Sequence, residues 1–131
     1  MKPMRVLILE DEPLVALDLE SVVSAAAPSE VAWAPSIKKA HAALAEPVDF
    51  ALLDIDVIDG KTFEFALHLI NNGTPFAFVS GSRLDDVPDE LRQAPFIRKP
   101  FRTADVEDLI LAQARLLQSR PDEHSTVAND N

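Results

Sequence analysis

Six side chains in this chain are of the kind that handles phosphate and divalent cations, and they follow four largely apolar runs. RVLIL (5–9) leads into Glu10-Asp11-Glu12, VDFALL (48–53) into Asp54, PFAFV (75–79) into Ser80-Gly81, and APFIR (94–98) into Lys99-Pro100. If the first and third runs are neighbours in a parallel sheet, Glu10, Asp11 and Asp54 converge within a few ångströms. Two carboxylates about 4 Å apart repel by roughly 4 kcal/mol at an effective dielectric near 20, so three of them demand a positive partner. Mg²⁺ suits such an all-oxygen set, held by one or two carboxylates with waters and phosphate oxygens, and Lys99 adds a fixed cation. Phosphoryl transfer needs this kind of site: an in-line nucleophile and cationic clamps for charge spread over three oxygens. The ordinary alternative for acids at a strand end is capping of the next helix, a role open to Asp11 or Glu12 before Pro13.

The elements that would position these groups alternate along the whole chain. Strands are expected at 5–9, 30–34, 48–53, 75–79 and 94–98; the first, third and fourth are apolar nearly throughout, as strands covered on both faces are. A first helix opens at Pro13 with Val15, Leu19, Val22, Val23 and Ala26 as its stripe, and Ser36 is placed to cap a second that carries Ile37, Ala40 and Leu44. Phe63, Ala66, Leu67 and Ile70 follow helical spacing in a third, ended by Gly73. Asp85 to Gln93 is a candidate fourth helix interrupted by Pro88, and Thr103 opens a last helix with Val106, Ile110, Ala114 and Leu117. Strand and helix in alternation predict an α/β fold, a doubly wound five-stranded parallel sheet with helices on both faces. Ligands of such sheets bind beyond the carboxyl ends of the strands, where these polar groups stand.

Length and composition bound the rest. The chain has 131 residues, one domain's worth, expected as a domain over 1–118 and a polar tail over 119–131. With 47% apolar and 26% charged residues it is too apolar for a disordered chain. Twelve basic against 22 acidic residues give a net charge of −10, which disfavours nucleic acid. The absence of cysteine excludes disulfides, thiolate metal sites and a cysteine nucleophile. MKPMRVLILEDEP has no signal-peptide pattern and no run is long enough to span a bilayer, so a cytoplasmic protein is expected. His41, His68 and His124 show no clustering in sequence, and Trp33 is expected to serve packing.

Taken in order, VLILEDE (6–12), LLD (52–54), VSG (79–81) and KPF (99–101) resemble the receiver domain of bacterial response regulators over residues 4 to about 118. The resemblance implies a flavodoxin-like sheet of order 2-1-3-4-5 and a phosphoacceptor rather than an enzyme. Asp54 would take a phosphoryl group from a histidine kinase or histidine phosphotransfer protein. Glu10, Asp11, Asp54 and the backbone carbonyl of Asp56 would hold Mg²⁺, Ser80 would donate to the phosphoryl group and Lys99 would pair with it. Ser80 and Phe96 match the family's switch pair. With no output domain after the last helix, the effect would pass to a downstream protein partner, or to a homodimer, through the fourth helix, fifth strand and last helix.

The family pattern has proline four residues and glycine eight residues after the aspartate; here Ile58 stands at four, and Gly60 comes six on. PFAFVSGS (75–82) is also similar to an aromatic-rich variant in alphaproteobacterial single-domain regulators linked to general stress signalling, with Ser82 where that variant has tyrosine. Two other readings share the residues. Haloacid-dehalogenase-type phosphatases use a DxD motif, here Asp54-Ile55-Asp56, with a serine and a lysine around Mg²⁺; against it, the further acids lie upstream, at Glu10 and Asp11. A receiver-like scaffold that accepts no phosphate is the other.

Overall fold

The computed structural model describes residues 2–119. Its elements in chain order are β1 (Met4–Leu9), α1 (Pro13–Ala26), β2 (Ser29–Ala34), α2 (Ile37–Ala43), β3 (Phe50–Leu53), β4 (Asp56–Val57), β5 (Gly60–Lys61), α3 (Phe63–Asn71), β6 (Phe76–Ser80), β7 (Phe96–Arg98) and α4 (Thr103–Ser119). Five parallel strands form one sheet in the order β2-β1-β3-β6-β7, which is the expected 2-1-3-4-5 once the short β4-β5 hairpin takes its own numbers. Ser119 closes α4, and the remainder of the expected tail lies outside the described residues.

Side chains alternate across a strand, and here both faces are filled. Val6, Ile8, Phe50, Leu52, Ala77 and Val79 join the cluster that takes in Ala16, Leu19 and Val23 of α1 and Val106 and Ile110 of α4. Leu7, Leu9, Ala51, Leu53, Phe76 and Phe78 join the opposite cluster, with Ala40 of α2 and Phe65, Ala66 and Leu69 of α3. That double cover explains why the central strands read as unbroken apolar runs.

The helix ends follow their residue chemistry. Ser36 Oγ accepts from Lys39 N at 3.1 Å at the start of α2, and Gly73 takes a left-handed φ of +72° after α3 while Thr74 N donates to Leu69 O. The buried stripe of α3 differs from the expected one. Phe65, Ala66 and Leu69 face the sheet, whereas Leu67 and Ile70 are exposed. FEFALHLI carries two overlapping apolar stripes, and the start of the helix at Phe63 selects the one led by Phe65.

The candidate helix from Asp85 to Gln93 is instead two 3₁₀ turns, Leu84–Asp86 and Asp89–Leu91. Pro88 is the reason: it lacks a donor and pushes the preceding residue out of helical space. Val87 accordingly sits at φ −83°, ψ 130°, and Pro88 itself at ψ 148°. Arg92 ties the two turns together, donating from Nε to Val87 O at 2.8 Å and from Nη2 to Asp85 O at 3.1 Å. The face expected from a fourth helix, fifth strand and last helix is therefore bordered by 3₁₀ turns, β7 and α4.

The hairpin after β3 reaches back to α2. Asp59 Oδ1 accepts from Ile37 N at 2.8 Å and Oδ2 from Lys38 N at 3.1 Å, supplying two of the helix's free donors from outside the helix. These bonds hold the Asp59 carboxyl below the usual carboxylate range, the Ile37 amide foremost. A depressed folded pKa means the contribution is present above the ordinary carboxylate range and lost as pH falls through the folded value. Asp59→Ala is expected to lower the denaturation midpoint at neutral pH and to speed hydrogen exchange at the Ile37 and Lys38 amides; Asp59→Asn, with a single acceptor oxygen, is expected to protect one of the two amides and to give an intermediate midpoint. NMR-detected exchange checks it.

Candidate functional site

The strand register brings the chemistry-bearing residues together. Leu9 pairs with Leu53, and Asp54 N extends the ladder by donating to Leu9 O at 2.9 Å, so Glu10 and Asp54 leave adjacent strands side by side. Alternation then sets their face. Ile8, Leu52 and Ile97 all point to the α1/α4 side, and two residues further on Glu10, Asp54 and Lys99 continue on that side. The Lys99 ammonium stands between the two acids, 2.7 Å from Glu10 Oε1 and 3.1 Å from Asp54 Oδ2. Both carboxylates are buried, and Lys99 is largely so.

Burial pushes the Glu10 carboxyl up to about 7 and the Asp54 charge adds to the rise, while the Lys99 ammonium works against both. Burial works to lower Lys99, but Glu10 and Asp54 outweigh it and its pKa is raised. Glu10 Oε2 accepts from Glu12 N at 3.2 Å. Oε1 is buried and is ion-paired with the Lys99 ammonium. A buried carboxylate oxygen paired with an ammonium, in an all-oxygen set, fits a hard divalent cation. Carboxylate oxygens of Glu10, Asp11 and Glu12 lie within 4.8 Å of one another. Glu12 holds the N-cap position of α1 without a side-chain capping bond, so capping does not account for it. Asp54 stands outside that trio of acids and is joined to it through Lys99.

The other predicted positions separate by task. The Asp56 side chain turns outward, to Lys61 Nζ and to Ser82 Oγ at 2.9 Å, and those partners, Lys61 first, hold its carboxyl below the usual range. Ser80 is buried, and its Oγ accepts from Ser82 N at 3.2 Å. Phe96 is half-buried on β7, with its ring 6.3 Å from that of Phe78.

Sequence reasoning missed several contacts. Trp33, half-exposed, donates from its indole N–H to the Glu10 carbonyl at 2.7 Å, so it braces the acidic strand end as well as packing. Thr62 is fully buried and donates from Oγ1 to the Asp54 carbonyl at 2.6 Å; its place eight residues after Asp54, where the family pattern has glycine, was the available signal. His41 and His68, far apart in sequence, bring their rings to 5.5 Å, with His41 edge-on to Phe65.

Neither a family model nor a curated protein matches the sequence, but solved structures do. SdrG from Sphingomonas melonis Fr1 is 31% identical, with a TM-score of 0.72 over 86% of this chain and 98% of its own. The REC domain of the Erythrobacter litoralis response regulator PhyR is 27% identical, with a TM-score of 0.76 over 93% of this chain and 97% of its own. A CheY-like receiver domain from Methylobacillus flagellatus shares the fold at 19% identity and a TM-score of 0.73, over 86% and 99%. The chain belongs to the response regulator receiver family. The receiver fold ties it to two-component signalling. This receiver carries no α-helix between β6 and β7 among the described residues, and no described helix is long and apolar enough to cross a membrane.

The raised Glu10 pKa has a stability consequence in magnesium-free buffer. The folded state holds this proton more tightly than the unfolded chain, so stability falls as pH rises from about 4.5 to about 7. Glu10→Gln removes one of two buried carboxylates sharing a single ammonium. At pH 8 it is expected to raise the melting temperature by several degrees, an advantage that shrinks at pH 5, measurable by thermal unfolding at the two pH values.

Proposed function

We propose that this receiver is a phosphoacceptor of two-component signalling. The observation that carries the reading is the Lys99 ammonium held between buried Glu10 and Asp54 at the carboxyl edge of the sheet. In the proposed reaction a carboxylate oxygen of Asp54 attacks the phosphorus of a phosphohistidine on a histidine kinase or histidine phosphotransfer protein. The new O–P bond forms as the N–P bond breaks, and the imidazole leaves with the electron pair. Glu10, Asp11, Asp54 and the backbone carbonyl of Asp56 would hold Mg²⁺, with Glu12 close enough to contribute. When bound, the ion supplies positive charge against the phosphoryl oxygens. Lys99 clamps the same oxygens from the β7 side and lowers the repulsion between the incoming group and the two acids.

Downstream, the phosphoryl group adds strong acceptor oxygens beside Ser80. In this reading Ser80 gives up its bond from Ser82 N, turns its hydroxyl to the phosphoryl group, and releases space for Phe96 to change rotamer. The signal then passes to another protein across the 3₁₀ turns, β7 and α4. Cytoplasmic histidine kinases and phosphotransfer proteins are the donors of this chemistry, and the reading assigns the protein to that compartment.

Incubation with Mg²⁺ and acetyl phosphate, or with a phosphorylated histidine kinase, tests the reading by intact mass. The wild type is expected to gain one phosphoryl group, dependent on Mg²⁺, and Asp54→Asn none. Lys99→Ala is expected to slow the gain by roughly a hundredfold, the scale on which an aimed electrostatic donor acts. A wild type that gains no mass from either donor overturns the proposal, and steady hydrolysis of a phosphate monoester would mark a phosphatase instead.

A further inference from the structure

We infer that Thr62 is a positioning residue for the phosphoacceptor, its hydroxyl fixing the Asp54–Ile55 peptide and, through that peptide, the orientation of the Asp54 carboxylate. The inference rests on the function proposed above for Asp54 and concerns a residue to which the resemblance gives no role.

The chain of contacts is continuous. Thr62 Oγ1 donates to Asp54 O at 2.6 Å. The same peptide unit's amide, Ile55 N–H, donates to Asp54 Oδ1 at 2.7 Å. Asp54 Oδ2 is thereby turned to Lys99 Nζ, at 3.1 Å. The last side-chain torsion of an aspartate is broad, and the Ile55 amide on one oxygen together with Lys99 on the other narrows it. Here one oxygen is tied and the other is left facing the cation. A carbonyl that accepts a hydrogen bond polarises the amide on the other side of its own peptide, which strengthens the grip on Oδ1.

Thr62 is suited to this by its own anchoring. It occupies the N-cap position of α3, yet its side chain makes no capping bond. Its N–H donates to Ile55 O at 2.9 Å and its carbonyl accepts from Ala66 N at 2.9 Å, so its backbone is held on both sides of the loop. A β-branched side chain has few rotamers, and this one is fully buried. The hydroxyl is therefore aimed rather than adaptable. It also satisfies the Asp54 carbonyl, which lies beyond the end of β3 in a buried loop.

Two substitutions separate positioning from mere support. Thr62→Val keeps the shape and removes the donor; Thr62→Ser keeps the donor. Thr62→Gly is a second variant without the donor, to be used should valine prevent folding. In NMR spectra at a temperature well below unfolding, the Ile55 amide proton is expected to move upfield and exchange faster in Thr62→Val, and to stay near its wild-type position in Thr62→Ser. With saturating Mg²⁺ and acetyl phosphate, Thr62→Val is expected to take up the phosphoryl group roughly tenfold more slowly, about one hydrogen bond's worth of the barrier, and Thr62→Ser to recover most of the rate. An Ile55 amide unmoved in a folded Thr62→Val protein overturns the inference, as does a folded Thr62→Val protein that is phosphorylated at the wild-type rate. A wild type that takes up no phosphoryl group overturns the proposed function; the tie itself is still measured by the Ile55 resonance.

Discussion

A single ammonium group between two buried carboxylates is the constraint around which this receiver is organised. Glu10 and Asp54 are both nearly sealed from solvent, and a buried charge without a partner is among the costliest features a fold can carry. Lys99, 2.7 Å from one and 3.1 Å from the other, is what makes the pair tolerable. One cation serves two anions, and Glu10, its carboxyl raised by burial first and by the Asp54 charge besides, shows what that arrangement costs. The Mg²⁺ of the proposed function would supply the positive charge that two buried acids and one ammonium leave wanting.

The rest of the architecture follows from delivering those three groups to one point. The parallel register of β1 and β3 puts Glu10 beside Asp54, and β7 at the far edge of the sheet must end so that Lys99 reaches back over β6. Parity matters as much as order, since a slip of one residue in any of these strands would send its terminal group to the opposite face. The apolar alternation that fills the two cores therefore also aims the polar residues that follow it. Stability and site geometry share one register.

The acids that follow β3 show how closely spaced residues of one type come to separate uses. Asp54 ends the strand in the buried cluster; Asp56 faces solvent and joins Lys61 to Ser82; Asp59 crosses to cap α2. From the sequence, Asp54 was legible because an apolar run led into it and other runs led into Glu10, Ser80 and Lys99. The strands were legible for the same reason, and their order came with the resemblance to receiver domains. The roles of Asp56 and Asp59 were not: Asp59 depends on amides of α2 more than twenty positions away, and Asp56 on a hairpin that turns Lys61 back to it and on the distant Ser82. Trp33 and Thr62 escaped for a related reason. Both act on backbone carbonyls, of Glu10 and Asp54, and a carbonyl acceptor leaves no residue signature. The α3 stripe failed because Leu67 and Ile70 fit helical spacing as well as Phe65 and Leu69 do, and only the position of the helix start decides between them.

The segment between β6 and β7 carries the argument furthest from the sequence. Pro88 was visible there, and its effect is larger than an interruption: it leaves no α-helical ladder, only two three-residue turns bound by Arg92 and by short local bonds. Val87 and Leu91 anchor the segment in the core, while its other side chains are exposed or half-buried, and stretches with few backbone bonds open at lower free energy than regular helix. This one is tethered to the site at its start by Ser82, which gives its N–H to Ser80 and its hydroxyl to Asp56. In the proposed switch, a change in the partner of Ser80 would act first on this segment. In a receiver whose fourth connection is a regular helix, the same change would have to move a rigid rod. Under the proposed function, the response of this face would run through the Ser82 tethers and the two turns that Arg92 joins.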